Sequence, residues 1–385
     1  MNVENNVPKV RFDGFNGEWK NTTLSDVVDV RNGKDYKHLG RGNVPVYGTS
    51  GYMLSVDSAL SSDEDAIGIG RKGTIDKPYL LRAPFWTVDT LFYAVPRPNY
   101  NLDYFHCLFQ KIDWQRHDES TGVPSLSKVA INNVPVLVTH EKEQNKIGDF
   151  FRKIDALINQ HRQKQEKLIQ LKDAMLEKMF PKAGERVPEI RFGGFSGEWE
   201  EKILGSDIAD VVGGGTPSTL VSEFWDGDID WYSPVEIGER VYAEGSKKRI
   251  TELGLKSSSA KILPAGRTVL FTSRAGIGDM AILAKPGATN QGFQSLVVKD
   301  EYSPYFLYCA GRLIKEYALK QASGSTFLEI SGKKLARMKL LVPSSDEQNA
   351  IGNYFQKLDA LINQHQQQIT KLNTIKQACL DKMFV

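Results

Sequence analysis

The sequence repeats itself, and this repeat constrains the fold more than any other feature. The stretch VPKVRFDGFNGEW (Val7–Trp19) returns as VPEIRFGGFSGEW (Val187–Trp199), and EQNKIGDFFRKIDALINQH (Glu143–His161) returns as EQNAIGNYFQKLDALINQH (Glu347–His365). The part between the motifs runs from 19 to 143 in the first copy and from 199 to 347 in the second, so the second is about 24 residues longer. This duplication predicts two similar units, each a variable globular part followed by a nearly constant segment.

The constant segment of each copy has the pattern of a long helix. Apolar or seam positions recur every three or four residues, and in the first copy no proline occurs before Pro181. About 38 residues at about 1.5 Å per residue give a rod of roughly 57 Å. Such a seam is typical of coiled-coil pairing. The residues expected to pair the helices are Ile147, Phe151, Ile154, Ile158, Leu168, Ile351, Phe355, Leu358, Ile362 and Leu372.

The variable parts have a different texture. Short apolar stretches are broken by glycine, proline and asparagine, which is typical of short strands joined by turns, and short helical patterns follow around 102–114 and 305–319. The sequence therefore predicts an α+β class, with two mixed α/β domains that alternate with two long helices in a pseudo-two-fold internal repeat. The expected boundaries are 1–140 and 183–343 for the domains, and 141–182 and 344–385 for the helical segments.

Composition excludes several classes of protein. The formal net charge is only +2, so nucleic-acid binding would depend on local placement of basic groups. The amino-terminal stretch MNVENNVPKV lacks the apolar core of a signal peptide, and no apolar run is long enough for a membrane helix. The three cysteines are scattered, with none in a C-x-x-C pair, so we expect no metal site and a cytoplasmic location.

The stretch Gly68–Gly73 formally matches the G-x-G-x-x-G pattern of dinucleotide-binding loops. Such a loop must open a helix, but here Pro78 and strand-type residues follow. In the second copy AIGIGRKGTI aligns with VLFTSRAGIG, pairing Arg71 with Arg274, and the first two glycines have no counterpart. The shared feature is a strand followed by Arg-x-Gly, which argues against nucleotide binding.

An arginine on a tight turn, present in both copies, could bind a guanine edge or a phosphate. The alternative is a hairpin turn with a solvated arginine. Polar and basic loops elsewhere in the variable parts are further candidates for DNA contacts. The candidate DNA-binding residues are Lys34, Lys37, Arg41, Tyr47, Ser50, Arg71, Lys72, Thr74, Lys247, Lys248, Ser273, Arg274, Asn290, Gln291, Ser325 and Thr326.

No catalytic motif is evident: the chain lacks a G-x-x-x-x-G-K-[ST] loop, an H-E-x-x-H pair and a G-x-S-x-G elbow. With two variable regions, each introduced by R-F-x-G-F-x-G-E-W and followed by an E-Q-N-x-I-G helix, the chain resembles the specificity (S) subunit of type I restriction-modification systems. The resemblance covers essentially the whole chain. The series within 213–293 and 45–92 resemble two types of target recognition domain.

The resemblance implies a non-catalytic subunit that reads double-stranded DNA with two target recognition domains. Its helices would form an antiparallel coiled coil that sets the domain spacing and docks two methyltransferase (M) subunits. Restriction (R) subunits would join the full complex. S-adenosylmethionine, ATP and Mg²⁺ would belong to those partners, and no cofactor to this chain.

One other function remains open from the sequence. The near-neutral charge of each variable part suits a coiled-coil scaffold whose domains bind proteins or glycans. A self-contained nuclease or methylase would require a catalytic motif that the sequence lacks. For an S subunit we expect a bipartite target with an unread spacer and two different halves, because the two variable parts differ in length and in most loops.

Overall fold

The computed structural model describes residues 6–238, 240–274, 276–324 and 328–385. The chain divides into two compact units. Unit 1 comprises Met1–Gln163 and Gln366–Val385, and unit 2 comprises Lys164–His365. Within the described ranges, no helix is both long and apolar enough to cross a membrane.

Unit 1 begins with short strands and ends in a long helix. Its strands are β1 (Lys20–Thr23), β2 (Val28–Asn32), β3 (Arg41–Gly48), β4 (Gly51–Val56), β5 (Ala66–Gly70), β6 (Tyr79–Leu81), β7 (Trp86–Thr87), β8 (Leu91–Pro96) and β9 (Pro135–Val138). Its helices are α1 (Leu24–Val27), α2 (Leu102–Lys111), α3 (Lys128–Asn132) and α4 (Glu141–Lys178), of which α4 continues into unit 2.

Three sheets build the globular part of unit 1. A four-stranded antiparallel sheet has the order β2-β8-β5-β6, and a three-stranded sheet has the order β4-β3-β7, with β3 and β7 parallel. Strands β1 and β9 form an antiparallel pair that leads directly into α4. The loops after β2, β5 and β7 therefore belong to the same unit as the start of the long helix that follows β9.

Unit 2 follows the same plan with more elements. Its strands are β10 (Glu200–Ile203), β11 (Ala209–Gly213), β12 (Trp225–Tyr232), β13 (Tyr242–Ala243), β14 (Lys248–Ile250), β15 (Thr268–Phe271), β16 (Met280–Leu283), β17 (Gly287–Thr289), β18 (Gln294–Val298) and β19 (Lys339–Val342). Its helices are α5 (Glu252–Lys256), α6 (Pro304–Cys309), α7 (Gly311–Gln321), α8 (Gly332–Ala336) and α9 (Ser345–Met383), of which α9 continues into unit 1.

The sheets of unit 2 repeat those of unit 1. The order β11-β18-β15-β16-β13 matches the four-stranded sheet with one added strand, and β14-β12-β17 again contains a parallel pair, β12 with β17. Strands β10 and β19 correspond to β1 and β9. The predicted α+β class and the internal repeat thus extend to strand order and strand direction.

Each unit has its own apolar core, to which the repeated tryptophan contributes. In unit 1, Trp19 lies 5.9 Å from Phe384 between ring centroids, and in unit 2 Trp199 lies 5.7 Å from Phe180. Both phenylalanines belong to the repeated K-M-F motif that ends each constant segment. Burial of the tryptophan and the phenylalanine in the same cluster fixes the end of the repeat against its beginning.

A main-chain hydrogen bond joins the end of the repeat to its beginning in both units. The Val10 N–H donates to the Lys382 carbonyl at 2.9 Å in unit 1, and the Ile190 N–H donates to the Lys178 carbonyl at 2.9 Å in unit 2. The carboxyl-terminal end of the chain therefore contacts the first V-P-x-x-R-F segment as Lys178 contacts the second.

The helical segments pack in opposite directions within each unit. In unit 1, Lys376 Nζ lies 2.7 Å from Asp155 Oδ1, and Phe151 lies 6.1 Å from Phe384 between ring centroids. Within this unit, α4 and α9 therefore run antiparallel, since later residues of α4 contact earlier residues of α9. In unit 2, Lys172 Nζ lies 2.6 Å from Asp359 Oδ1, the equivalent pair of the repeat with the two helices exchanged.

The repeated E-Q-N-x-I-G motif has an architectural role at the start of each long helix. Gln144 accepts a hydrogen bond from the Asn101 N–H at 3.1 Å and donates to the Thr139 carbonyl at 2.6 Å. In unit 2, Gln348 makes the equivalent bonds, with the Ser303 N–H at 3.1 Å and the Pro343 carbonyl at 3.0 Å. The motif therefore attaches the long helix to the globular part in both units, so the sequences of the variable loops can differ.

Candidate nucleic-acid interface

Several of the loops that carry candidate residues of unit 1 meet along one stretch of backbone, residues 87–90. The Lys34 N–H donates to the Thr87 carbonyl at 2.9 Å, and the Arg71 N–H donates to the Thr90 carbonyl at 2.8 Å. The Leu126 N–H then donates to the Arg71 carbonyl at 2.9 Å, which adds the segment before α3 to the same surface. Four loops distant in sequence are thus held together by main-chain hydrogen bonds.

Unit 2 builds the same scaffold around residues 289–292. The Gly215 N–H donates to the Thr289 carbonyl at 2.9 Å, and the Ser273 N–H donates to the Gly292 carbonyl at 2.8 Å. The Ile330 N–H donates to the Ser273 carbonyl at 3.1 Å. Because these bonds use the backbone alone, the loop side chains can differ between the units while the scaffold stays the same. We call these two surfaces the loop faces: residues 32–41, 71–74, 87–90 and 119–128 in unit 1, and 213–221, 273–274, 289–292 and 329–332 in unit 2.

A tryptophan fixes the first loop of each face. In unit 1, Trp86 Nε1 donates to the Lys34 carbonyl at 2.8 Å, and in unit 2 Trp231 Nε1 donates to the Gly215 carbonyl at 2.8 Å. The two indoles come from different strands, β7 and β12, yet bind the equivalent carbonyl. A second indole, Trp225 Nε1, donates to the Ser218 carbonyl at 3.0 Å and holds the longer loop of unit 2.

The structure corrects the pairing of Arg71 with Arg274. The Arg71 N–H donates to the Thr90 carbonyl, and the Ser273 N–H makes the equivalent bond to Gly292. Lys72 forms an isolated β-bridge with Ser125, and Arg274 forms the equivalent β-bridge with Glu329. The counterpart of Arg274 is therefore Lys72, and that of Arg71 is Ser273. The predicted pairing is wrong by one position because unit 2 has one more residue between the strand and its turn glycine.

The glycines of the first copy are explained without a nucleotide. Gly68 and Gly70 lie in β5, and no helix follows before α2 in this described part of the chain. A Cβ at Gly70 would collide with the Thr74 carbonyl. Gly73 and its counterpart Gly276 have φ values of +95° and +109°, so both turns use the left-handed region that favours glycine.

The remaining candidates of unit 1 lie mostly on exposed loops and on β3. Lys34 and Lys37 are exposed on the first loop, Arg41 is exposed at the start of β3, and Ser50 is exposed at the turn between β3 and β4. Tyr47 is half-buried, with its ring centroid 6.1 Å from that of Tyr79. Thr74 is half-buried beside the Gly73 turn.

In unit 2 the candidates divide into exposed and structural side chains. Lys247 and Lys248 are exposed, and Lys248 Nζ lies 5.6 Å from the centroid of the Trp225 ring. Ser273 is fully buried, so its side chain is not available at the surface. Arg274 is half-buried at the rim of the loop face.

The T-N-Q-G segment, residues 289–292, has one side chain that stabilises its turn and one that is exposed. Asn290 Oδ1 accepts a hydrogen bond from the Gly292 N–H at 2.8 Å, which stabilises the turn, whereas Gln291 is exposed and bonded to the Thr216 hydroxyl. Their counterparts in unit 1 are Val88 and Asp89, so the two faces differ where side chains project. The predicted residues Ser325 and Thr326 lie outside the described residues.

The structure also adds residues that sequence reasoning missed. A pocket of about 430 Å³ in unit 1 brings Arg71 and Lys72 together with Asn32, Ser125 and Lys128. Lys128 is the first residue of α3, whose cap is Ser127, and nothing in its local sequence distinguishes it from other surface lysines. Only the main-chain contacts between residues 71–73 and 124–126 bring it to this pocket.

Comparison with known proteins bears on this pair of faces. A family model described as the type I restriction modification DNA specificity domain matches residues 16–170 and again residues 196–374. The chain belongs to this specificity family. The two matches coincide with the two copies of the internal repeat.

Individual relatives agree with the family assignment. The chain is 35% identical over 201 residues to the type I restriction enzyme MjaIX specificity subunit of Methanocaldococcus jannaschii, covering 51% of this chain and 46% of the relative. It is 34% identical over 176 residues to the EcoR124I/EcoR124II specificity subunit of Escherichia coli, covering 43% of this chain and 42% of the relative. In these alignments the family member described here spans less than half the length of either relative.

Solved structures resemble the specificity-family chain in fold. The crystal structure of a type I restriction-modification S subunit from M. genitalium superposes with a TM-score of 0.71 at 16% identity, covering 98% of this chain and 99% of that one. A second chain, from a study of type I complex assembly and conformational transition, superposes with a TM-score of 0.54 at 17% identity and covers 95% of this chain and 97% of that one.

The residues expected to pair the helices of this specificity-family chain are buried or half-buried. Ile154 and Ile158 pack in one apolar cluster with Ile369, and the half-buried Leu372 lies against it. The predicted residues that pack in the globular cores are Ile147, Phe151, Leu168, Ile351, Phe355 and Leu358. The predicted helix-pairing residues therefore have two roles, since some pack in the small cluster with Ile369 and others pack in the globular cores. Ile362 is half-buried.

Proposed function

We propose that this chain is the non-catalytic DNA-recognition subunit of a type I restriction-modification complex. Each unit reads one half of a bipartite target in double-stranded DNA through its loop face. The observation that carries this proposal is the pair of equivalent backbone scaffolds with different side chains, such as Asp89 in unit 1 and Gln291 in unit 2. One scaffold with two side-chain sets suits two different half-sites.

We propose that α4 and α9 form an antiparallel coiled coil between two target recognition domains and that this rod sets the unread spacer. The antiparallel ion pairs within each unit, Asp155 with Lys376 and Lys172 with Asp359, support a fixed register. The expected domains are 1–140 and 183–343, with 141–182 and 344–385 as helical spacers. A fixed register is what a constant spacer requires.

The partners proposed are two M subunits, bound to equivalent parts of the helices, with R subunits in the full complex. Each helix exposes apolar side chains at equivalent positions of the repeat: Leu157 (45% exposed) and Leu361 (43% exposed), and Leu171 (38%) and Ile375 (40%). Exposed leucine and isoleucine at repeated positions suit two copies of one partner.

Charge reversal on the same helices tests the docking proposal. Lys153 and Lys357 are exposed at equivalent positions. Lys153→Glu with Lys357→Glu should weaken co-purification with M and leave the thermal unfolding midpoint unchanged. Lys20→Glu, on exposed β1, is the control, and full retention of M by the helix variant would argue against docking at this surface.

The chemistry is proposed to reside in the partners. Among the described residues no three histidine, cysteine or acidic side chains are grouped as a metal site would require. We propose that S-adenosylmethionine, ATP and Mg²⁺ are bound by M and R and that this chain binds no cofactor. A cytoplasmic location likewise stays a prediction.

A domain exchange tests the proposed function. Residues 205–342 lie between the repeated motifs of unit 2 and include its loop face. Replacing them with the equivalent part of a relative should change one half of the methylated motif and leave the other half and the spacer intact. A swap that altered both halves, or neither, would contradict the assignment of one half-site to each unit.

A further inference from the structure

Three cations without a carboxylate partner converge on the pocket of about 430 Å³ in unit 1. Arg71, Lys72 and Lys128 are all exposed and line it together with Ser125 and Asn32. None of the three forms an ion pair within the part of the chain that the structure describes, although Glu119 lines the same pocket. Elsewhere in unit 1 arginines are paired, as Arg31 is with Glu64 at 2.5 Å and Arg82 with Asp65 at 2.6 Å.

The pocket wall is held by main-chain hydrogen bonds. The Gly73 N–H donates to the Pro124 carbonyl at 2.8 Å and the Leu126 N–H to the Arg71 carbonyl at 2.9 Å. On the other side, Asp118 Oδ1 accepts from the N–H groups of Ser125 and Ser120, each at 2.9 Å. These two bonds hold the pKa of Asp118 below its usual value, so the carboxylate stays ionised and the loop stays fixed at neutral pH.

Arg71 is oriented but not neutralised. Its guanidinium carbon lies 5.7 Å from the centroid of the Phe92 ring, and Nη1 donates a long hydrogen bond of 3.4 Å to the Asp89 carbonyl. A ring face and a carbonyl restrict the guanidinium without cancelling its charge. The pocket therefore presents a preorganised positive charge to an external anion.

The equivalent place in unit 2 lacks this charge. Arg71 is replaced there by the buried Ser273, and Lys128, the first residue of α3, by Gly332, the first residue of α8. Lys72 corresponds to Arg274, which faces Glu329 across an isolated bridge where unit 1 has Ser125. One cation and one carboxylate, Arg274 and Glu329, thus stand where unit 1 has three cations and one carboxylate, Glu119.

We propose that the pocket of Arg71, Lys72 and Lys128 binds one backbone phosphate of the half-site read by unit 1, and that unit 2 has no equivalent phosphate site. This inference rests on the proposed function in DNA recognition. Lysines act as flexible point charges that suit phosphate oxygens, whereas the most specific contacts with base edges are bidentate. The stacked Arg71, already bonded to Asp89, supplies charge at a fixed place and leaves base reading to other loop side chains.

Neutralising single phosphates in the DNA tests this proposal. The full-length chain, co-expressed with its M subunit, is titrated with a duplex that carries the methylated motif, and each phosphate in turn is replaced by an uncharged methylphosphonate. One position in one half-site should weaken wild-type binding on the order of tenfold, the effect of a charge-assisted hydrogen bond. Lys72→Gln with Lys128→Gln should weaken binding to the native duplex similarly and become insensitive to that position.

Two variants serve as controls. Lys20→Gln removes an exposed charge from β1 and should keep full sensitivity to the critical phosphate. Lys72→Arg with Lys128→Arg should restore it, which separates lost charge from lost folding. The logarithmic salt dependence of binding should become shallower by roughly one unit in the glutamine variant, because one phosphate fewer is neutralised.

The outcomes distinguish this proposal from the proposed function. If the complex binds its motif but no phosphate couples to Lys72 and Lys128, the phosphate pocket is overturned while DNA recognition stands. If the complex does not bind the duplex at any salt concentration, both are overturned. If inorganic phosphate binds the wild-type complex, and Lys72→Gln with Lys128→Gln abolishes this binding while leaving affinity for the duplex unchanged, the pocket is a site for the free anion and the proposal is overturned.

Discussion

Arg11 donates two hydrogen bonds to the buried Glu143 carboxylate, from Nε to Oε1 at 2.6 Å and from Nη2 to Oε2 at 2.7 Å. Its Nη1 also donates to the Gly17 carbonyl at 2.6 Å. In unit 2, Arg191 makes the same three bonds, to Glu347 and to Gly197. The pair joins the two motifs that repeat in the sequence, so each copy carries both halves of one buried ion pair.

We expect Arg11→Leu to lower the free energy of unfolding of unit 1 by about 3–5 kcal/mol, because it leaves the fully buried Glu143 without its counter-ion. Arg191→Leu should act on unit 2 in the same way. Arg116→Leu removes an exposed pair with Asp113 and should cost about 0–1 kcal/mol. Urea unfolding of the three variants checks this, and equal effects of Arg11→Leu and Arg116→Leu would refute the structural role.

Stability of unit 1 should fall in mild acid because of His106. Burial, with a smaller effect of Lys376, lowers the pKa of His106 to about 4, whereas the unfolded chain takes up this proton near 6.5. Protonation therefore favours the unfolded state, and stability present above about pH 6.5 is lost as the pH falls toward about 4, by up to about 3 kcal/mol.

Comparison with a non-titrating variant isolates this effect. His106→Gln should show a smaller loss of stability between pH 7.5 and pH 5 in urea unfolding than the wild-type chain. His106 is the fifth residue of α2, and the fifth residue of α6 is Tyr308. The equivalent position of unit 2 therefore carries no histidine. Identical pH profiles for wild type and variant would show that His106 is not the cause.

Arg274 should contribute to reading by unit 2. Arg274→Gln is expected to weaken binding of the cognate duplex by about 1–3 kcal/mol if its guanidinium contacts a base edge, and to relax sequence preference in one half-site only. Arg249→Gln is the control, since this exposed arginine lies 3.4 Å from Asp230 in an ion pair. Unchanged affinity and unchanged salt dependence would favour a solvated arginine on a hairpin turn.

Lengthening both helices should change the spacer alone. The division between the units falls after Gln163 in α4 and after His365 in α9. Inserting about four residues, one helical turn, at both places keeps the Asp155–Lys376 and Lys172–Asp359 pairs intact within their units. The methylated motif should then keep both halves and gain spacer base pairs. A changed half-site would mean that the helices take part in base reading.

Much of the fold follows from the sequence because its signals are local or repeated. The helices predicted over 141–182 and 344–385 are observed as Glu141–Lys178 and Ser345–Met383, since apolar spacing and the absence of proline are properties of one segment. The contacts of the E-Q-N-x-I-G motif could not be predicted. Arg11 lies 132 residues before Glu143, and no local pattern connects them.

The site was less predictable than the fold for the same physical reason. Arg71 and Arg274 each follow a strand and precede a glycine, so similarity alone allowed a pairing that is wrong by one residue. The hydrogen bonds from Arg71 to Thr90 and from Ser273 to Gly292 fix the register, and these are cross-strand contacts. Lys128 could not be predicted because its place in the pocket depends on such contacts as well.

The central claim is that two units on one helical spacer read two different half-sites. Single-molecule sequencing of methylated adenines, in cells that express this chain together with the proposed M subunit, tests it most directly. The account predicts one bipartite motif with two different halves and an unread spacer between them, of about half a helical turn if the two recognition surfaces lie about one duplex turn apart. A continuous motif, or a palindrome with identical halves, would contradict it.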